Sequence, residues 1–120
     1  MPKLTIEDFG TRDVEGGERL VNALASHIDI GHRCGGVAAC TTCRVRFLDG
    51  EPDRMTIAER NKLRKAELLG DSRLACQITV EDDMHVKVLM RVSEQAWEDA
   101  GPEPGEVIEP SPQWVDRPEL

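Results

Sequence analysis

The spacing of four cysteines limits what this chain can fold into more than any other feature of its sequence. Cys34, Cys40 and Cys43 fall within ten residues as C-x5-C-x2-C, and Cys76 follows 33 positions after the third. Plant-type 2Fe-2S sites show a similar spacing, C-x4-C-x2-C with a remote fourth cysteine. Small residues fill the loop between the first three cysteines, and they let backbone N–H groups approach the sulfur atoms. We therefore predict that all four thiolates bind one 2Fe-2S cluster.

Other metal and redox uses of these residues are alternatives. Zinc sites favour two close pairs of ligands, whereas the fourth cysteine here stands alone in the sequence. A redox dithiol at Cys40 and Cys43 has the right C-x-x-C spacing, but such motifs stand at a helix start without a third and a remote cysteine. A Rieske centre needs histidine ligands, and none of His27, His32 and His85 lies two residues after a cysteine. The pattern therefore favours a four-cysteine cluster.

The net charge of −8 limits the possible partners. Nucleic acids and anionic membranes both repel an acidic surface, so neither is an expected partner. The first residues do not combine a basic region with an apolar run, and no apolar stretch approaches the ~20 residues that span a bilayer. We therefore expect a cytoplasmic protein, where clustered cysteines bind metal more often than they form disulfides. With 120 residues the chain suits one folded domain, and we expect a monomer.

Charge and proline divide the chain into two parts. Residues 1–93 carry 15 acidic and 14 basic side chains, whereas residues 94–120 carry eight acidic side chains and only Arg117 as a base. The second part also holds five of the seven prolines and lacks a periodic apolar pattern. We predict a folded domain over residues 1–93 and an acidic, Pro-rich tail over residues 94–120 that does not fold alone. Because the tail is tethered and opposite in charge to the basic stretch from Arg60 to Lys65, it could fold back over that stretch; the alternative is a disordered, solubilising tail, above all past Pro110.

Hydrophobic periodicity predicts short strands alternating with two helices. Strands are expected at residues 3–7, 11–15, 44–48, 75–80 and 85–90, and helices at residues 18–26 and 56–69. The second helix begins with the capping-box pattern of Thr56 and Glu59 and is expected to end at Gly70. Its predicted core-facing residues are Leu63, Ala66 and Leu69. The order ββαβαββ is typical of an α+β protein with a β-grasp (ubiquitin-like) sheet around one main helix.

The chain resembles 2Fe-2S ferredoxins of the adrenodoxin and putidaredoxin type over roughly residues 3–90. Besides the cysteine spacing, the resemblance includes the segment SRLACQI around Cys76 and the strand MHVKV that starts at Met84. It implies a β-grasp fold and one cluster held by the four cysteines. It also implies an electron-transfer protein, not an enzyme, which moves single electrons from a flavin-dependent reductase to an oxygenase or biosynthetic acceptor. Electron supply to iron–sulfur cluster assembly and thiol-based oxidoreduction are the alternative functions.

Some residues depart from the pattern of that family. The expected recognition helix is basic at Arg60 and Arg64, whereas members that serve haem monooxygenases carry acidic side chains there. Arg44 stands where His or Gln is common after the third cysteine. Val45 occupies the position where many ferredoxins of cluster-assembly operons have an additional cysteine. The acceptor of the family therefore cannot be transferred to this chain from the resemblance.

Overall fold

The computed structural model describes residues 1–33, 35–36, 38, 41–94 and 101–117, and these residues form nine strands and two helices. The strands are β1 (Lys3–Ile6), β2 (Gly10–Asp13), β3 (Glu18–Arg19), β4 (Arg44–Asp49), β5 (Arg54–Thr56), β6 (Arg73–Leu74), β7 (Thr79–Val80), β8 (Met84–Val88) and β9 (Trp114–Asp116). The helices are α1 (Leu20–Ala25) and α2 (Ile57–Lys65). No helix among the described residues is long and apolar enough to cross a bilayer.

A mixed five-stranded sheet, in the order β2-β1-β8-β4-β6, forms the body of the protein. The strand β8 pairs parallel with β1 and antiparallel with β4, which in turn pairs antiparallel with β6. Alternate side chains of the central strands, such as Leu4, Ile6, Val45 and Val86, are buried, as the two-residue period predicts. The core between this sheet and the helices agrees with the predicted α+β architecture.

The helix α1 starts later than predicted. Residues Glu18 and Arg19, expected to be helical, pair antiparallel with β7 as the strand β3. Four of the six helical side chains are buried: Leu20, Val21, Ala23 and Leu24. Extended pairing with β7 therefore outweighs the local helical pattern at the first two positions.

The helix α2 begins as predicted and ends early. Thr56 Oγ1 accepts the backbone N–H of Glu59 at 3.1 Å, which confirms half of the predicted capping box. The Glu59 carboxylate does not close the box, because it accepts from Arg73 and Leu74 instead. Glu67 has a positive φ of 60°, so the helix ends at Lys65 and the predicted stop at Gly70 is wrong. Ala66 lies just past the end of the helix and is exposed, although it was predicted to face the core. Leu63 is fully buried, as predicted.

The strand predicted over residues 75–80 is interrupted. The strand β6 ends at Leu74, a 3₁₀ helix follows at Ala75–Gln77, and β7 begins only at Thr79. The interruption surrounds Cys76, so this residue lies in a tight turn between two strands.

The described part of the tail packs against the body. The strand β9 pairs antiparallel with β5, and Met55 lies opposite Val115. Ile108 is buried, with 7% of its surface exposed. Next to the cysteine loop, His32 Nδ1 lies 2.8 Å from the carbonyl oxygen of Pro102. We call residues 101–110 the strap, because they cross this loop on their way to β9.

The position of the tail differs from the one suggested by charge alone. The hydrogen bonds of residues 101–117 with other described residues join them to β5 and the segment before it, the start of α2, β3, α1, Gln77 and the cysteine loop, and β9 pairs with β5 rather than lying over the basic stretch from Arg60 to Lys65. Backbone pairing and apolar burial stabilise this arrangement more than attraction between exposed charges would, because salt screens such charges. The domain boundary after residue 93 stays a prediction. Trp97, which the charge argument placed in the tail, lies outside the described residues.

Candidate metal centre

The strand register brings the predicted third and fourth ligands to the same end of the sheet. Cys43 directly precedes β4, and Cys76 lies just after β6. Arg44 pairs with Leu74, and the N–H of Ala75 donates to the carbonyl oxygen of Cys43 at 3.1 Å. Both cysteines are buried, with exposures of 1% and 0%. Cys34 and Cys40 lie outside the described residues, so the full set of four ligands stays a prediction.

The loop before Cys43 has a backbone that few residue types can adopt. Gly36 has a φ of +84°, and the non-glycine residue Ala38 has a φ of 60°. A Cβ added to Gly36 would lie 2.7 Å from Pro104 Cβ and 3.0 Å from an Arg19 guanidinium nitrogen. Such left-handed residues turn backbone N–H groups into one concave face, as in other anion-binding loops. The small residues noted in the sequence therefore serve both the turn and the close approach of the strap.

The buried amide of Gln77 donates toward a cysteine sulfur. Its Nε2 lies 3.6 Å from the Sγ of Cys76 and 2.8 Å from the carbonyl oxygen of Glu109 in the strap. Its Oε1 accepts the hydroxyl of Thr56 at 2.7 Å, which fixes the orientation of the amide. A donor at this place stabilises negative charge on sulfur. The sequence showed only that Gln77 follows Cys76, because its two anchoring partners are remote along the chain.

Arg19 is a buried residue at this site that the sequence did not reveal. Its side chain is only 1% exposed. Nη2 donates to the carbonyl oxygens of Gly36 and Cys76 at 2.6 and 2.7 Å, and Nε also donates to Cys76 at 3.2 Å. Nη1 donates at 2.8 Å to the carbonyl oxygen of Gly105 in the strap. One guanidinium thus links the cysteine loop, the turn of the fourth cysteine and the tail.

A buried ion pair supports the strand that leads to Cys76. Arg73 donates to both oxygens of Glu59, from Nε at 2.8 Å and from Nη2 at 3.1 Å, and Leu74 N–H adds a third bond at 2.8 Å. Burial raises the pKa of the Glu59 carboxyl, and the hydrogen bonds and charge of Arg73 oppose that rise. Burial also acts to lower the pKa of Arg73, but the contact with Glu59 more than offsets this and raises it. Both groups are therefore held in place beside the fourth cysteine.

Two surfaces of opposite charge are exposed on the described part of the protein. On α2, Arg64 is exposed and Arg60 is partly exposed, with its Nη2 3.4 Å from Asn61 Oδ1. The turn of Glu81, Asp82 and Asp83 between β7 and β8 is also exposed. Both surfaces are accessible among the described residues.

The described residues fit an iron–sulfur cluster. Two buried thiols converge at one sheet end, a left-handed loop lies beside them, and a buried amide donates to one sulfur. Thiolate ligands with N–H donors to sulfur are the donor set that such clusters use. The chemistry available to such a site is one-electron exchange.

Comparisons with known proteins agree with this description. A family model described as a 2Fe-2S iron–sulfur cluster binding domain matches residues 5–81. The F component of the Na⁺-translocating NADH-quinone reductase of Chlamydia felis is 33% identical over 98 residues, which are 80% of this chain and 22% of that protein. The chain thus spans about a fifth of the length of this relative.

Solved structures of similar proteins have the same fold. The ISC-like 2Fe-2S ferredoxin FdxB of Pseudomonas putida is 33% identical, with a TM-score of 0.59 over 74% of this chain and 93% of that chain. A chain of the covalent putidaredoxin reductase–putidaredoxin complex is 34% identical, with a TM-score of 0.57 over 74% of this chain and 99% of that chain. These matches confirm the predicted resemblance, the β-grasp fold class and the 2Fe-2S cofactor.

Proposed function

Because the chain belongs to the 2Fe-2S iron–sulfur cluster binding domain family, we propose that it is a one-electron carrier that takes electrons from a flavin-dependent ferredoxin reductase and passes them to an oxygenase or a biosynthetic enzyme. The observation that supports this most is the position of Cys43 and Cys76, both buried at one end of the paired strands β4 and β6. Clusters of this class are held by cysteine thiolates, and these two thiols lie at one end of the sheet.

The proposed ligands are Cys34, Cys40, Cys43 and Cys76. The bound cluster supplies reversible one-electron chemistry at a low potential, near roughly −400 mV in plant-type ferredoxins. The chain itself holds the fourth cysteine in a tight turn and directs the Gln77 amide toward its sulfur at 3.6 Å. We therefore infer that the chain transforms no substrate and is an electron-transfer protein, not an enzyme.

A flavin-dependent reductase is the proposed source of electrons. The similar putidaredoxin was solved in a covalent complex with its reductase, and this supports the same kind of partner here. The similar protein of Chlamydia felis is a component of a NADH-quinone reductase. The match covers only part of that protein, so the matched domain is one part of a larger chain there. We propose a cytoplasmic monomer as the working form, which size-exclusion chromatography coupled to light scattering can test.

Electron supply to iron–sulfur cluster assembly is the second candidate function. The observation that favours it is the similarity to a ferredoxin described as ISC-like. The two candidates differ in the acceptor, so they are separated by measuring electron delivery to a haem monooxygenase and to a cluster-assembly system with the same reductase. Faster delivery to the assembly system would favour the second candidate.

The experiment that tests the main proposal measures iron, sulfide and one-electron reduction together. The purified protein should contain about two iron and two sulfide per chain, show broad visible absorption, and take up one electron reversibly in a spectroelectrochemical titration. Cys76→Ser should lose most of the cluster. Ser72→Ala is the matched control, because Ser72 is buried at 4% exposure near the same strand but carries no thiol. A Cys76→Ser protein with full iron content and an unchanged spectrum would remove Cys76 from the ligand set.

A further inference from the structure

Arg19 occupies a position that helix formation does not explain. It is the N-cap residue of α1, and its side chain makes no capping hydrogen bond. Ser, Thr, Asp or Asn are preferred at such positions, and a cation there opposes the helix dipole. Because Arg19 departs from these local preferences, its contacts elsewhere in the fold are the reason to expect an arginine at this position.

Arg19 is buried without the ion pairs that Arg73, the other buried arginine, makes. Arg73 is paired with the carboxylates of Glu59 and Glu51. Arg19 is 1% exposed, its hydrogen bonds all go to carbonyl oxygens, and no carboxylate of the described residues lies within ion-pair distance of it. Carbonyl oxygens satisfy the donors but do not neutralise the charge. A buried cation without an anion is strongly unfavourable.

Two of the three carbonyl oxygens that Arg19 binds belong to the segments that carry the cysteines, and the third is that of Gly105 in the strap. Gly36 lies in the loop that follows Cys34, and the second carbonyl oxygen is that of Cys76 itself. Four thiolates and two sulfides around two ferric ions carry a formal charge of −2, which reduction makes −3. A cluster held by these cysteines would therefore bring negative charge into the region of the protein where Arg19 is buried.

We propose that Arg19 is a positioning residue whose buried charge balances the anionic cluster and favours its reduced state. The inference rests on the proposed function, because it assumes that Cys76 is a cluster ligand. The fork of the guanidinium holds Gly36 and Cys76 at a fixed separation, and the charge makes the uptake of an electron easier. Both effects act on the cluster without direct ligation.

The strap makes the charge of Arg19 effective. Gly105 O accepts from Arg19 Nη1 at 2.8 Å and from Asn22 Nδ2 at 2.9 Å. Pro104 and the same guanidinium both lie close to Gly36, so that a Cβ added there would be 2.7 Å from Pro104 Cβ and 3.0 Å from Arg19 Nη2. The strap therefore keeps water from Arg19, and a charge in such a low-dielectric place acts more strongly than the same charge at the surface.

The test compares midpoint potentials of purified, cluster-loaded full-length proteins. Arg19→Gln removes the charge and keeps a hydrogen-bond donor. It should lower the equilibrium constant for taking an electron from a reference dye at least about tenfold, which is about 59 mV for a one-electron couple. Arg19→Lys keeps the charge and should stay within about threefold of the wild type. Arg12→Gln is the matched control, because Arg12 is exposed on β2, and its loss should leave the potential unchanged.

The potentials and the iron content of the Arg19 variants support or overturn the proposal. A shift below about tenfold in Arg19→Gln, or an equal shift in Arg12→Gln, would overturn it. If Arg19→Gln does not retain a cluster, Arg19→Lys becomes the deciding variant. A lysine protein that loads iron and keeps the wild-type potential supports the charge role, and a lysine protein that also fails to load overturns it in favour of a purely geometric role.

The wild-type titration separates this inference from the proposed function. If the wild type shows no reversible one-electron reduction, the proposed function fails. If the wild type is reduced reversibly and the Arg19 variants load without a shift, only the inference fails.

Discussion

The carboxylate of Glu59 joins α2 to the strand that leads into the fourth cysteine, and its removal should be the most damaging isosteric substitution in the body of the protein. Glu59 is fully buried, and it accepts three hydrogen bonds from Arg73 and the backbone of Leu74. The change Glu59→Gln keeps the shape of the side chain. It replaces one acceptor oxygen by a donor that faces the donors of Arg73, and it removes the negative charge.

The size of the effect follows from the burial of both partners. The side chain of Arg73 is 4% exposed and that of Glu59 is 0% exposed, so the charge left on Arg73 cannot turn to water. Removing one partner of a buried ion pair destabilises a protein by about 3–5 kcal/mol. Glu51 lies 3.2 Å from Arg73 and retains part of the compensation, which places the expectation at about 3 kcal/mol. For a domain of this size, that lowers the melting temperature by roughly 12 °C.

Thermal unfolding of the cluster-loaded protein, followed by far-UV circular dichroism at one heating rate, measures this effect. Asp71→Asn is the control, because it removes the same charge from an ion pair with Arg46 whose side chains are 49% and 54% exposed. Surface pairs of this kind contribute little, so the control should melt close to the wild type. A melting temperature of Glu59→Gln within about 3 °C of the control would refute the reasoning. Changing both Glu59 and Arg73 to Met should recover part of the loss.

Three further substitutions test the tail, the helix surface and the sulfur donor. Ile108→Ala should destabilise the protein by about 2–4 kcal/mol because Ile108 is buried, whereas Val107→Ala, 69% exposed, should have little effect; urea unfolding compares them. Charge reversal of Arg60 and Arg64 to Glu should slow electron exchange several-fold at low salt if α2 binds the partner, and stopped-flow rates unchanged by this double variant would assign docking to another surface. Gln77→Leu should lower the midpoint potential, because it removes a donor to sulfur, and an unchanged potential would show that this contact does not tune the site.

The features that the sequence predicted well are local or strongly periodic. The alternation of Leu4 with Ile6 is enough to place a strand, and Thr56 three residues before Glu59 is enough to place a helix start. The cysteine spacing predicted the cofactor because ligand spacing reflects the geometry of a wrapping loop. The strand and helix signals lie within a few neighbouring residues, and three of the four cysteines lie within ten residues.

The features that escaped prediction depend on contacts between remote segments. The strands β5 and β9 have three residues each, which is too short for a periodic signal, and each exists because it pairs with the other. The partners of Arg19 lie 17, 57 and 86 positions away along the chain. The end of α2 at Lys65 depends on the left-handed backbone of Glu67, a residue type that rarely adopts it. No short stretch of the sequence contains both members of the strand pair or of the Arg19 hydrogen bonds.

The strap has a consequence for the order of events during synthesis. It follows all four cysteines along the chain, so it leaves the ribosome roughly one to seven seconds after Cys76. During that interval, Pro102 and Pro104 do not yet cover Gly35 and Gly36, and the cysteine loop is open to the machinery that delivers iron and sulfide. Once the strap has docked over these glycines, we expect delivery to be slower, because the strap has to detach to reopen the loop. A nascent chain should therefore acquire its cluster faster than the finished apoprotein does.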